Sequence, residues 1–114
     1  MPPQIPVFAA PVSWTSDLVP FAEGAIRGLL GDRGTRLVVD LEATTFVASA
    51  GLTTLIRLGK RLYEAGGALA LARPGPVVVK LLRTVGLTSV LPSFSVLDEA
   101  IAFAAMARGA GARR

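Results

Sequence analysis

The stretch RLVVDL, Arg36 to Leu41, constrains this chain more than any other segment. It is almost continuously apolar and β-branched, without the alternation of a half-exposed strand. Such a run suits a strand covered on both faces, and therefore a parallel sheet. The residues that follow supply a covering helix. From Leu52 the apolar positions are Leu52, Leu55, Ile56, Gly59, Leu62 and Tyr63, the spacing of a helix with one buried face. Thr53, Thr54, Arg57, Lys60, Arg61 and Glu64 fall on the other face. Ala65 to Gly67 (AGG) stops the helix, and ALALAR, Ala68 to Arg73, reads as the next strand.

The rest of the chain continues this alternation. IPVFAA, Ile5 to Ala10, is predicted as a short strand, and Pro3, Pro6 and Pro11 place it at a sheet edge. In DLVPFAEGAIRGLL, the residues Leu18, Phe21, Ala22, Ala25, Ile26 and Leu29 form an apolar stripe at helical spacing. Asp17 is the expected cap, with Pro20 in the first turn, where its missing N–H costs nothing. Gly24 and Gly28 each weaken that helix by about 1 kcal/mol relative to alanine. In PGPVVVKLLRTVGL, Val77 to Val79 favour a strand by propensity. Val78, Leu81, Leu82 and Val85 nevertheless keep helical spacing, and Pro76 suits a first helical position, so a helix is predicted. A short strand near Phe94 and a helix over SVLDEAIAFAAMA complete the order, with Ser95 and Asp98 resembling a capping box. Strand and helix thus alternate four times. This predicts a small α/β sandwich, with a mixed, mostly parallel sheet of four to five strands flanked by about four helices. One domain over residues 1–107 is expected, followed by a basic tail over 108–114 with little to pack against.

Composition narrows the chemistry. The chain has 114 residues and 52% of them are apolar, enough for one core without cross-links. It has no Cys and no His, which removes disulfides, thiol catalysis, the usual zinc sites and histidine acid–base chemistry. The net charge is +4, but Arg108, Arg113 and Arg114 lie in the tail. Without them the balance is about +1, and a basic nucleic-acid face is poorly supported. No stretch is apolar over the roughly 18 residues a membrane span needs. The N-terminus lacks a basic segment ahead of its apolar part, which argues against a signal peptide. A cytoplasmic protein without membrane insertion or direct nucleic-acid contact is expected.

FVASAGLTTL, Phe46 to Leu55, joins a strand end to a helix and carries one hydroxyl at the joint, Ser49. Two readings follow. If the helix starts at Ala50, Ser49 is its N-cap and accepts a backbone N–H two or three residues on. Alternatively, the same geometry suits a phosphate, which would meet free N–H groups and the positive end of the helix dipole. A serine hydrolase elbow does not fit, because Val47 stands where the first glycine belongs and no histidine exists to act as base. RPGP lacks the ending of a phosphate loop. Asp40 and Glu42 share one strand face without further ligands beside them, so a structural or solvated role outweighs metal binding.

These segments together resemble a STAS domain, the fold of bacterial anti-sigma factor antagonists. The shared pattern begins with a strand ending in Asp40-Leu41. Next come the turn FVASAGL, a helix ending in Gly66-Gly67, a strand, and the proline-containing turn RPGP. A helix closing on Gly86-Leu87 and a last short strand and helix follow. The resemblance runs from about Arg36 to Ala102, and VSWTSDLVPFAEGAIRGLL matches the family's first helix. Three positions depart from the pattern. Ala48 stands where the family usually has aspartate. Ser13 and its neighbours replace the acid often found before the first helix. The N-terminus has room for little more than one strand, where the family usually begins with a hairpin.

The resemblance implies an interaction switch with no catalysis and no cofactor of its own. In that family the unphosphorylated antagonist binds a kinase-type anti-sigma factor, which then releases its sigma factor. The kinase inactivates the antagonist by phosphorylating a hydroxyl in the turn, and a phosphatase restores it. The phosphoacceptor position matches Ser49 or Ala50, and only Ser49 has a hydroxyl. The expected contact surface is Val47, Ala48, Ser49, Ala50 and Gly51, together with Thr53, Thr54, Arg57 and Lys60 on the exposed side of the helix. A second role within the same fold is a constitutive subunit that regulates a transporter ATPase or a stress-signalling assembly. Ser49-Ala50-Gly51 is similar to the Thr-Ala-Gly of the lipid-transport type. The sequence specifies no ligand pocket and no oligomeric state; a homodimer is one option.

Overall fold

The computed structural model describes residues 4–86 and 91–109. Residues 110–114 of the tail expected over 108–114 and the segment with Leu87 lie outside them; Gly109, expected to have little to pack against, is instead buried and donates its N–H to the Gly66 carbonyl at 3.2 Å. Strand β1 (Val7–Ala9) and the two-residue strand β2 (Ser13–Trp14) precede helix α1 (Val19–Leu30). Then come β3 (Arg36–Asp40), β4 (Phe46–Val47), α2 (Ser49–Glu64), β5 (Ala68–Ala72), α3 (Pro76–Thr84), β6 (Ser93–Phe94) and α4 (Leu97–Met106). The main sheet has the order β1-β3-β5-β6, and every pairing in it is parallel. Strands β2 and β4 form a separate parallel pair. The α/β sandwich with four helices and a parallel four-stranded sheet agrees with the expectation. Strand β1 lies at the edge, as its prolines require.

The two central strands show why a continuous apolar run works. Side chains alternate between faces of a strand. Leu37 and Val39 of β3 join Leu69 and Leu71 of β5 in one core, with α1, α2 and α3. Val38, Ala70 and Ala72 point the other way, against Ala100 and Ala104 of α4. Leucines thus fill the space under the long helices, while alanines on both partners let α4 approach closely. Removing alternate leucines would empty one layer only.

Helix α4 is held from below by Arg36. Its guanidinium donates to the carbonyl of Ala104 at 2.7 Å and also to that of Ala107. Ala104 lies in the last turn of α4 and Ala107 is its C-cap, so no helical N–H follows to bond these carbonyls, and a cation there also suits the dipole. Arg36→Ala is expected to cost about 2 kcal/mol, the worth of charge-assisted bonds to backbone at a helix end. A lowered urea midpoint at constant m-value would show it. Arg36→Lys, with one point charge and no fork, should recover only part of the loss.

Several helix starts differ from the expectation. None of α1, α2 and α4 begins on its predicted polar cap: Leu18, Ala48 and Val96 occupy those positions, without side-chain caps. The segment Ser13 to Leu18 is not helix α1 but strand β2 and a 3-10 turn, Ser16–Leu18. There the Asp17 carboxylate accepts from the Thr15 hydroxyl rather than capping α1. The α1 stripe is narrower than its spacing suggested. Ala22 and Ile26 are buried, but Phe21 is 66% exposed and Leu29 is also at the surface. Tyr63 and Val85, placed on buried faces by periodicity, are half exposed. Helix α3 begins at Pro76 as predicted and buries Val78 and Leu82.

Candidate functional site

The joint between β4 and α2 is built from a distant segment. Ser13 pairs with Phe46 and Trp14 with Val47. The pairing extends on both sides: Thr45 N–H donates to the Val12 carbonyl at 2.8 Å, and Ala48 N–H to that of Trp14 at 2.8 Å. The hydroxyl of Thr44, a buried polar residue, donates to the Pro11 carbonyl at 2.9 Å. Once Ala48 is held by Trp14, its own carbonyl accepts from Gly51 at 2.9 Å and Leu52 at 3.1 Å. Helix α2 therefore starts with Ala48 as N-cap and Ser49 as its first residue, one position earlier than expected. Ser49 is not a cap.

Trp14 lies beneath the first turn of α2 and is completely buried. A methyl group on Gly51 would meet Val47 Cγ1 at 2.9 Å and the Trp14 ring at 3.3 Å. Glycine there lets the helix close onto the indole. The same closeness hides two of the predicted contact residues, since Val47 and Gly51 are both buried. Ser49 is exposed, and Ala48 and Ala50 are partly so. The N–H groups of Ser49 and Ala50 have no acceptor among the described residues. A free hydroxyl thus sits beside two open backbone donors at the positive end of a 16-residue helix.

The other predicted residues divide by face. Thr53 is exposed, and its hydroxyl donates to the Ser49 carbonyl at 3.0 Å. Thr54, expected on the exposed side, is buried, with its hydroxyl on the Ala50 carbonyl at 3.0 Å. It faces α1, so the α2 stripe is wider than Leu52-Leu55-Ile56 alone. Threonine hydroxyls can satisfy themselves on the preceding turn, which is how this one is buried without cost from an unpaired group. Arg57 and Lys60 are exposed.

A clamp orients the loop that leads into this joint. Arg73 follows β5 with φ 53°, the left-handed region that non-glycine residues rarely adopt. Its guanidinium meets Asp40 through Nη2 at 2.6 Å and Nε at 3.3 Å, and Glu42 through Nη1 at 2.9 Å. The hydrogen bond to Asp40 raises the Arg73 pKa above its ordinary value, against the opposing effect of burial. The two carboxylates therefore serve a structural ion cluster, as their sequence context suggested. The partner was not legible, because Arg73 is 33 residues from Asp40.

Sequence reasoning missed the surface beside the turn. Phe46 and Val77 are exposed, and with Val47, Leu81, Lys80 and Thr84 they border an apolar groove of about 360 Å³ between β4 and α3. The only signal for it was the surplus of valines on α3, more than one buried stripe can use.

The STAS domain family profile matches residues 18–100. Among solved structures, the protein TM1081, determined by NMR, superimposes with a TM-score of 0.77 at 14% identity, over 89% of this chain and 82% of that one. A sulfate transporter family protein from Wolinella succinogenes does so with a TM-score of 0.74 at 14% identity, over 88% and 84%. At that identity the likeness is one of fold. No curated protein matches the chain. Among the described residues, no helix is long and apolar enough to cross a membrane.

Proposed function

From the premise that this chain belongs to the STAS domain family, we propose that it is a cytoplasmic, non-enzymatic interaction module of the anti-sigma factor antagonist kind. Its partner is a kinase-type anti-sigma factor, which docks over Ala48 to Ala50 and along Thr53, Arg57 and Lys60. Phosphorylation of Ser49 ends the contact, and a phosphatase restores it. The observation that carries this reading is the exposed Ser49 hydroxyl at the first position of α2, beside two unpartnered N–H groups.

The chemistry is a phosphoryl transfer. Ser49 Oγ forms a bond to the γ-phosphorus of ATP, the bond from that phosphorus to the ADP oxygen breaks, and the hydroxyl proton leaves to a base on the kinase. The product carries about −1.5 to −2 charges in front of the helix N-terminus, where the dipole and the open donors favour it. The same charge excludes a partner surface that must lose water to dock.

The test uses the intact chain with a kinase-type anti-sigma factor and ATP. Mass spectrometry is expected to show a gain of about 80 Da on Ser49, absent in Ser49→Ala. Because Ser49 is not a cap, that alanine variant should lose less than about 0.5 kcal/mol of stability. Ser49→Asp should weaken partner binding about tenfold or more. No labelling of the unsubstituted chain, together with unchanged affinity in Ser49→Asp, would reject the switch. Ala48 favours a second reading, since no carboxylate adjoins the hydroxyl where the family usually has one. In it the chain is a constitutive subunit regulating a transporter ATPase or a stress-signalling assembly, and charge at Ser49 changes nothing.

A further inference from the structure

An unbalanced cluster of positive charge lies in the cleft between α1 and α2. Arg27 of α1 and Arg57 and Arg61 of α2 border it, over an apolar floor that includes Ile26 and Leu58. Glu23 is the one carboxylate lining the cleft, and it approaches Arg57 only to 4.0 Å, beyond hydrogen-bond distance. Arg27 and Arg61 form no ion pair with any described residue. All three arginines are exposed. Two other arginines hold remote segments: Arg36 holds α4 and Arg73 holds the loop before β4. The three in the cleft hold none, and Arg27 and Arg61 stand in the last turns of α1 and α2, where a cation also suits the helix dipole.

We propose that this cleft is a docking site for an acidic, amphipathic segment of the partner protein; the proposal rests on the reading of the domain as an interaction module. The occupant follows from charge and shape. Three guanidiniums against one carboxylate call for carboxylates, which guanidinium forks bind in pairs. The open cleft exposes an apolar floor of Ile26, Leu30 and Leu58 between the guanidiniums, which suits an apolar side chain of the segment. No aromatic side chain lines the cleft to stack a base, so a protein segment fits where a nucleic acid does not.

The cleft also continues the turn. Ser49, Thr53, Arg57 and Arg61 follow at intervals of four along α2, one ridge of the helix. Eight residues separate Ser49 from Arg57, about 12 Å along the axis. That exceeds the screening length of about 8 Å at physiological salt. A phosphate on Ser49 therefore acts on the partner at the turn and leaves the arginines available. One partner lying along α2 would meet a switchable end and a permanent anchor.

The probe is a fluorescein-labelled 16-residue helical peptide of glutamate and leucine, titrated against the full chain by anisotropy at 50 and 300 mM NaCl. The expected result is saturable binding that weakens with salt and falls about tenfold or more in Arg27→Glu/Arg57→Glu. Lys80→Glu on α3, outside the cleft, should change it less than about twofold. Should the double glutamate variant fail to fold by circular dichroism, Arg27→Gln/Arg57→Gln serves instead, with at least about threefold loss expected. Absence of binding, equal binding by the arginine variant, or equal binding of a lysine–leucine peptide or a 20-nucleotide single strand overturns the proposal. Labelling of Ser49 is read by mass on the unsubstituted chain, independently of the peptide titration, so the switch reading stands or falls separately.

Discussion

Gly67→Ala is expected to destabilise the domain by about 3 kcal/mol or more, the upper range for forcing atoms into a packed site. The reason is a crossing of backbones and not an unusual dihedral angle. A Cβ at Gly67 would stand 1.7 Å from the Thr35 carbonyl oxygen and 2.5 Å from its carbon. Gly67 N–H donates to the Leu62 carbonyl at 2.8 Å, and Ala68 N–H donates to that same Thr35 oxygen at 3.0 Å. Both neighbours are main chain, so no rotamer change relieves the clash. Thr35 can move aside only by breaking the bond that sets Arg36 opposite Ala68 at the start of the β3–β5 pairing. The unfolding midpoint in urea measures the loss. Gly24→Ala is the control. A methyl there meets nothing within 4 Å, and alanine in an exposed helix should add up to about 1 kcal/mol.

Trp14→Ala is expected to cost about 3–5 kcal/mol, the range for removing a buried aromatic ring. Trp14 is among the largest fully buried side chains. It packs edge-on against Phe8, with ring centroids 6.0 Å apart, and lies under Gly51. Its indole N–H finds no partner in the interior. Trp14→Phe deletes that unpaired donor together with part of the ring, and the gain from the first offsets the second. A loss of about 1 kcal/mol is expected for it, well below that of alanine. The same pair of variants tests the architecture of the site. Trp14→Ala should raise amide exchange at Gly51 and Leu52, whose N–H groups bond to Ala48, while exchange in β5 stays slow. If both variants lose equal stability, the buried N–H carries no penalty and the account is wrong.

How much of this was legible in the residues differs by level. RLVVDL announced a covered strand of a parallel sheet, because a strand buried on both faces has no place for polar positions, and ALALAR announced the next strand. The spacing in α2 and α3 announced helices with one buried face. The turn at Ser49 was legible as a joint, and its exposure agrees with that. Its neighbours were not. Val47 and Gly51 are hidden by Trp14 and Thr54 by α1, and the groove beside Phe46 left only the surplus of valines on α3 as a trace.

The alternation of the main-sheet strands with the four helices, the covered central strand and the presence of a hydroxyl at the joint before α2 were determined by the amino-acid sequence alone. Each depends on which side chains prefer to leave water, and periodicity records that preference locally. Only the tertiary structure decided where α2 begins, which arginines are engaged and which of the turn residues face outward. Those outcomes depend on single hydrogen bonds and contacts between remote segments: Ala48 with Trp14, Arg73 with Asp40, Arg36 with Ala104. A polar residue near a helix end has a preference for capping worth about 1 kcal/mol, and a strand pairing from elsewhere in the chain is enough to override it.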